Sequence, residues 1–279
     1  MRGYIALLGV SLILALYSGV TSAVIPIDGP CAGKRLAISA DGNLHDADDV
    51  GAYPMSAALI GRRISDASVI FRHYHWGSHK WQENTGNNYA AMVASNNAVK
   101  NNAGLNNNLL KDAAGGNQPK NANINAAVNH LKNQINAAAT LTKGMCIIIQ
   151  GPIEIPYLAL NAANSANVAK VDVYIHTNWN KNHGKNKHGG ASWNQLKNTG
   201  VKSAQQILGS NGFNSTVWKN TKSAWNWLNT VDGGKWSWVR DRIQQSAKGG
   251  DISDAGLMFY VLTAETNPTM NRIENYFKP

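Results

Sequence analysis

Leu36-Ala37-Ile38-Ser39-Ala40-Asp41-Gly42-Asn43-Leu44-His45-Asp46-Ala47-Asp48-Asp49 runs from an apolar stretch straight into four carboxylates packed within nine residues. The segment Lys34 to Ala40 predicts a short strand, and Val50 to Ile60, beyond the acidic stretch, predicts a helix. Ionised carboxylates crowded this closely repel one another, by on the order of several kcal/mol per close pair in a partly dry site. A hard, oxygen-seeking cation such as Ca2+ offsets that repulsion. The competing reading is a solvated acidic loop with an Asp capping the helix that follows.

Working outward, Ser68-Val69-Ile70-Phe71-Arg72-His73-Tyr74-His75 alternates and is β-rich, which predicts a second strand. Its end releases Trp76-Gly77-Ser78-His79-Lys80-Trp81. From Asn84 to Ala139 the composition turns to Asn and Ala, which predicts helices joined by Gly-Asn turns. Within it, Ile124, Val128, Leu131 and Ile135 recur at helical spacing over Asn121 to Ala138. Met145 to Ile149 is a continuous apolar strand, followed by Gln150-Gly151-Pro152, a helix from Pro156 to Ala163 and a strand from Val171 to His176. Strands separated by crossovers of this length pair in parallel, so the expected fold class is α/β with a doubly wound, mostly parallel sheet. The last third, Trp193 to Phe277, reads as helical and Trp-rich. Its Trp225, Trp227, Trp236 and Trp238 either pack helices or offer a sugar-stacking face.

Ligands in doubly wound sheets bind beyond the carboxyl ends of the strands. Those ends are Asp41 to Asp49, His73 to Trp81, Gln150 to Glu154 and His176 to His183, and all four release chemically capable side chains. Asn43, His73, Trp76, His79, Glu154, Asn178, Trp179 and Asn180 are the candidates for holding a substrate. His75 or His176 is placed to protonate a leaving group. A His-x-His pair such as His73 and His75 also suits Zn2+ or Cu2+, against which stands hydrogen bonding to substrate hydroxyls. No Gly-x-Ser-x-Gly elbow, phosphate loop or His-Glu-x-x-His occurs, which argues against serine hydrolases, kinases and zincins.

Residues 1 to 23 have the pattern of a secretory signal, with Arg2, an apolar run from Ile5 to Leu16 and a small-residue site at Thr21-Ser22-Ala23. The expectation is a secreted protein, extracellular or periplasmic, with no membrane span and one domain over residues 24–279. Cys31 and Cys146 are the only cysteines; in an oxidising compartment they pair, and two buried free thiols are the alternative. The net charge of +10 favours an anionic partner, although the lysines are dispersed and form no dense nucleic-acid-binding run. A duplex nucleic acid is therefore not expected as partner, and the oligomeric state is open.

Taken in order, three landmarks make the chain resemble a distant member of the nucleoside hydrolase superfamily, including its secreted relatives. They are Asp46-Ala47-Asp48-Asp49 ahead of a helix, Ile147-Ile148-Ile149-Gln150-Gly151-Pro152 followed by Tyr157-Leu158-Ala159-Leu160, and Ser253-Asp254-Ala255-Gly256-Leu257-Met258. The resemblance spans Lys34 to about Thr263 and implies a nucleoside-hydrolase-like sheet and a Ca2+ cofactor. Carried over, the ligands are Asp254, Asp49 and the Gln150 carbonyl, completed by Asp41 or Asp46, and Asp48 takes the proton from a calcium-bound water. The chain also departs from the pattern. The acidic loop is lengthened, Glu154 and Ile155 stand where Asn is expected after Gly-Pro, and Ser253 stands where many nucleosidases carry His. The resemblance therefore implies a glycosidic hydrolase acting on a ribosyl compound or an extracellular carbohydrate. A carbohydrate-binding protein that has lost catalysis, and a polysaccharide lyase using the His cluster, are the alternatives.

Overall fold

A computed structural model describes residues 28–40, 48–63, 71–76, 87–103, 110–113, 121–141, 144–178, 180–182, 190–207, 217–246 and 249–279. The signal-like segment 1–23 lies outside the described residues. Six strands form one parallel sheet: β1 (Arg35–Ala40), β2 (Phe71–Trp76), β3 (Leu110–Asp112), β4 (Met145–Gln150), β5 (Val171–Ile175) and β6 (Ser203–Gln206). Their order is β3-β2-β1-β4-β5-β6. The chain builds outward from β1 through β2 to β3, then returns to the other side of β1 at β4. The order therefore reverses between β1 and β4, and the carboxyl ends of those two strands flank the crevice that such a reversal opens.

The α/β, mostly parallel architecture follows the sequence expectation, with local differences. β3 lies inside the stretch whose composition predicts helices joined by turns; three residues are too few to give a periodic signal. β6 was likewise not expected, because Ser203-Ala204-Gln205-Gln206 is polar and edges the sheet. The helix after the acidic stretch, α1, spans Asp49–Arg63, and the helix carrying Ile124, Leu131 and Ile135 spans Asn121–Leu141, with those three side chains buried.

Alternation along the strands feeds two cores. Leu36, Ile38, Cys146, Ile148 and Tyr174 point to one face, where α1 and the C-terminal helices pack. Ala37, Ile147, Ile149, Val173 and Ile175 point to the other, against Leu131, Ile135 and Leu160. Period-two side chains buried on both faces are what a covered parallel sheet requires.

The C-terminal part combines 3-10 segments (Lys222–Asn229 and Val231–Gly234) with three helices: Ser237–Gln245, Ser253–Thr263 and Met270–Phe277. Its tryptophans pack rather than form a binding face: Trp218, Trp225 and Trp236 are buried, and Trp227 and Trp238 are partly buried against the same core. Ring centroids lie 6.0 Å apart for Trp218 and Trp225 and 5.2 Å apart for Trp236 and Phe277. A short antiparallel ladder, Lys219–Asn220 with Gly250–Asp251, leads directly into the helix Ser253–Thr263.

α1 contains Pro54, which has no N–H to give to the carbonyl of Val50 one turn earlier. Ser95 Oγ donates to that carbonyl instead, at 2.7 Å, and Arg242 Nε donates to Ser95 Oγ at 2.9 Å. A side chain from a neighbouring helix thus restores the bond the proline removes, directly behind the acidic start of α1.

Cys31 and Cys146 form a disulfide across 115 residues. It joins the N-terminal arm to the beginning of β4. The same arm donates from Asp28 N and Gly29 N to the Leu262 carbonyl, at 3.2 and 3.1 Å, near the end of the helix Ser253–Thr263. Among the described residues no helix is long and apolar enough to cross a membrane.

Candidate metal centre

The carboxylates of Asp48, Asp49 and Asp254 converge, with one oxygen from each lying within 4.8 Å of the others. All three residues are buried. The first two stand where the chain enters α1; the third lies in the first turn of the helix Ser253–Thr263. The solvated-loop reading of the acidic stretch does not hold for Asp48 and Asp49. The capping reading holds in part: the Asp48 carbonyl accepts from Gly51 N and Ala52 N, and its Oδ1 accepts from Asp49 N at 3.1 Å.

At an effective dielectric constant near 20, two full charges this close repel by about 3–4 kcal/mol per pair. The N-terminal ends of the two helices return roughly 0.3–2 kcal/mol each. The neighbouring imidazole of His176 offers at most one positive charge through Nδ1, which hydrogen-bonds Asp254 Oδ1. A divalent cation offsets more than either. The donor set is also of the right kind: three carboxylates are hard oxygen ligands, and both cysteines are committed to the disulfide. The residues present fit a hard divalent ion such as Ca2+.

Gln150 ends β4 opposite Ala40 of β1 and is 1% exposed. Its side-chain Nε2 donates to Ser56 Oγ on α1 at 3.2 Å and to the Asp254 main-chain carbonyl at 2.7 Å. The resemblance implies a role for the Gln150 carbonyl; the side-chain amide takes part as well. His176 follows β5 directly, and its N–H donates to the Ile149 carbonyl at 3.2 Å, which continues the ladder one residue past the strand. Asp251 Oδ1 accepts from Ser253 N at 3.0 Å while its Oδ2 pairs with Lys219 Nζ at 3.6 Å, which fixes the backbone just before Asp254. Ser56, Asp251 and the Gln150 amide carry no sequence signal, since their roles depend on partners distant in the chain.

Other expected site residues are placed differently. Glu154 is buried, and its Oε2 accepts from Ala191 N at 2.6 Å, so that it anchors the 190–192 segment. Asn178 is exposed, and its Oδ1 accepts from Gln206 Nε2 at 2.7 Å. Asn180 is buried, with its N–H donating to Thr177 Oγ1 at 3.1 Å. His73 and His75 pair in register with Ala37 and Ser39, and Trp76 closes the same strand; the side chains of these three lie outside the described set. Asp41, Asn43, His45, Asp46, His79 and Trp179 also lie outside the described residues.

No family model matches the chain. No curated protein matches it either. A solved structure of a plant nucleoside hydrolase is similar in chain course, with a TM-score of 0.43 and 11% identity, over 82% of this chain and 78% of that one. A shared chain course does not carry chemistry with it.

Proposed function

We propose that the chain is a secreted, Ca2+-dependent hydrolase that cleaves the glycosidic bond of a ribosyl compound or an extracellular carbohydrate. The observation that carries this reading is the convergence of Asp48, Asp49 and Asp254 at the switch point of the sheet. The ordered sequence motifs around the same residues support it.

Asp49, Asp254 and the Gln150 carbonyl would hold the ion, with Asp41 or Asp46 from the preceding acidic stretch of sequence. When bound, such an ion supplies Lewis acidity and offsets the charge of the carboxylates. Asp48 is the residue proposed to take a proton from the attacking water. Its Oδ1 accepts from Asp49 N, which holds the carboxylate at the start of α1. A nearby carboxylate of this kind serves a reaction whose sugar carbon becomes oxocarbenium-like. His176 is the described candidate acid for the departing group. The Asp254 carboxylate on its Nδ1 sets the orientation of the ring. The Cys31–Cys146 bond supports export to an oxidising compartment.

The test is calorimetric titration with Ca2+, together with a screen for free sugar released from nucleosides and glycans. Asp48→Asn is expected to abolish release while the ion still binds. Full turnover by that variant, or turnover unaffected by chelation, would overturn the reading.

A carbohydrate-binding protein without catalysis is the second reading. It is favoured by Glu154 and Asn178, each of which spends a side-chain oxygen on an internal hydrogen bond. Saturable glycan binding with no product detected by mass spectrometry would select it.

A further inference from the structure

We propose that the side chain of Gln150 is a positioning residue that holds Asp254 within ion-sharing distance of Asp48 and Asp49. The inference rests on reading the three aspartates as a cation site, and adds what assembles that site.

Gln150 is the last residue of β4, and its amide nitrogen bridges two helices. One donation reaches Ser56 Oγ on α1, the helix that begins at Asp49; the other reaches the carbonyl of Asp254 itself. A carbonyl only accepts, so the nitrogen must face it, and the orientation of the amide is set by the contact. The amide oxygen is buried and has no hydrogen-bond partner among the described residues. A buried acceptor left in that condition carries a free-energy cost. An apolar side chain of similar length would avoid the cost, so the stabilising role of the amide lies in its two donations.

Those donations act where they are needed. Carboxylates from two separate helices repel at this distance, and the repulsion drives the start of the helix Ser253–Thr263 away from α1. The far end of that helix is fastened by the arm through Asp28 N and Gly29 N, and Cys31 ties the arm covalently to the start of β4. Gln150 fastens the near end to the other terminus of the same strand. One helix is thus held to one strand at both ends, and the near fastening carries Asp254. A preassembled set of ligands binds an ion more tightly than one that must first be gathered, because less ordering and less work against repulsion remain to be done.

The experiment compares the full-length wild type with Gln150→Met and Ser56→Ala, with Ca2+ and Tb3+ as probes. Groups that orient metal ligands typically contribute about 10–100-fold in affinity, so Gln150→Met is expected to weaken Ca2+ binding by that factor. Tb3+ luminescence decay in light and heavy water should report about one additional bound water, in the position the Asp254 oxygen has left. Ser56→Ala should weaken binding several-fold, because it removes one acceptor of the clamp. In an Asp254→Asn background the effect of Gln150→Met on affinity should disappear; a general packing defect would persist there.

Unchanged affinity and water count in Gln150→Met, beside a wild type that binds, would overturn the clamp and leave the cation site standing. A wild type that binds neither ion would overturn the cation site and the clamp with it. Should Gln150→Met not fold, Ser56→Ala decides: weaker binding supports the clamp, and equal binding removes it.

Discussion

His176 Nδ1 and Asp254 Oδ1 share a buried hydrogen bond that joins the end of β5 to the start of the helix Ser253–Thr263, across 78 residues of sequence. The contact places an imidazole beside the carboxylate cluster. Asp254 thus belongs both to that contact and to the cluster with Asp48 and Asp49.

Removing one member of a buried pair of this kind leaves the other without its partner, and the cost is typically about 3–5 kcal/mol when both are charged. His176→Leu is expected to lower the unfolding free energy by roughly 3 kcal/mol in urea titrations. Saturating Ca2+ should recover part of that loss, because the ion offsets the carboxylate that the imidazole no longer meets. A loss under about 1 kcal/mol, within the range of an ordinary exposed pair, would show that the contact contributes little.

The Ser95 bond to the Val50 carbonyl stands in for the N–H missing at Pro54. Ser95→Ala leaves that buried carbonyl short of a donor and is expected to cost about 1–3 kcal/mol. In a Pro54→Ala background the backbone N–H returns and the cost should shrink below about 1 kcal/mol, the coupling expected of groups in contact. Equal costs in the two backgrounds would mean that Ser95 acts through something other than this carbonyl.

The Cys31–Cys146 bond closes a loop of 115 residues, and native disulfides of comparable reach stabilise by about 2–5 kcal/mol. A Cys31→Ala, Cys146→Ala double variant should show a loss of that size in guanidinium titrations without reductant. Adding reductant to the wild type should reproduce it. Reduction that leaves the midpoint unmoved would remove the bond from the account of how the arm is held.

Burial pushes the Tyr174 hydroxyl up to about 12, helped by the neighbouring Asp172 charge and by Tyr260. Burial likewise raises Tyr53 and Tyr276 well above the ordinary tyrosine value, and Tyr276 donates to the Leu59 carbonyl at 3.0 Å. The folded state therefore keeps these protons at a pH where the unfolded chain has begun to lose them. Their contribution is complete below about pH 10, where free tyrosine titrates, and falls as pH rises toward about 12. Unfolding free energy measured against pH should be flat in this respect near neutrality and decline above about pH 10. The share of tyrosinate absorbance that comes from Tyr53, Tyr174 and Tyr276 should appear together with unfolding. Ionisation of these three rings in a still-folded protein, isolated by difference spectra of the Tyr→Phe variants, would contradict their burial.

Much of the architecture was legible because strand and helix periodicities are local. Leu36 to Ala40 and Met145 to Ile149 declare buried strands by composition alone, and Ile124, Leu131 and Ile135 mark a helix by spacing. β3 and β6 leave no such mark, because three or four partly polar residues at a sheet edge have no period. The tryptophans of the last third left packing and display equally open, since a residue type does not say which side of it is covered.

By itself, the sequence determined the alternation of elements, hence a parallel sheet, and which residues its strand ends would release. Only the tertiary structure decided which of them meet. It set Asp48 and Asp49 beside Asp254, turned the Gln150 amide toward the Asp254 carbonyl, paired His176 with that aspartate and diverted Glu154 to Ala191. The physical reason is range: backbone preference and amphipathic spacing act within a few residues, whereas a hydrogen bond or a shared ion requires ångström-level proximity. For positions more than a hundred residues apart, the packing of helices on the sheet sets that proximity.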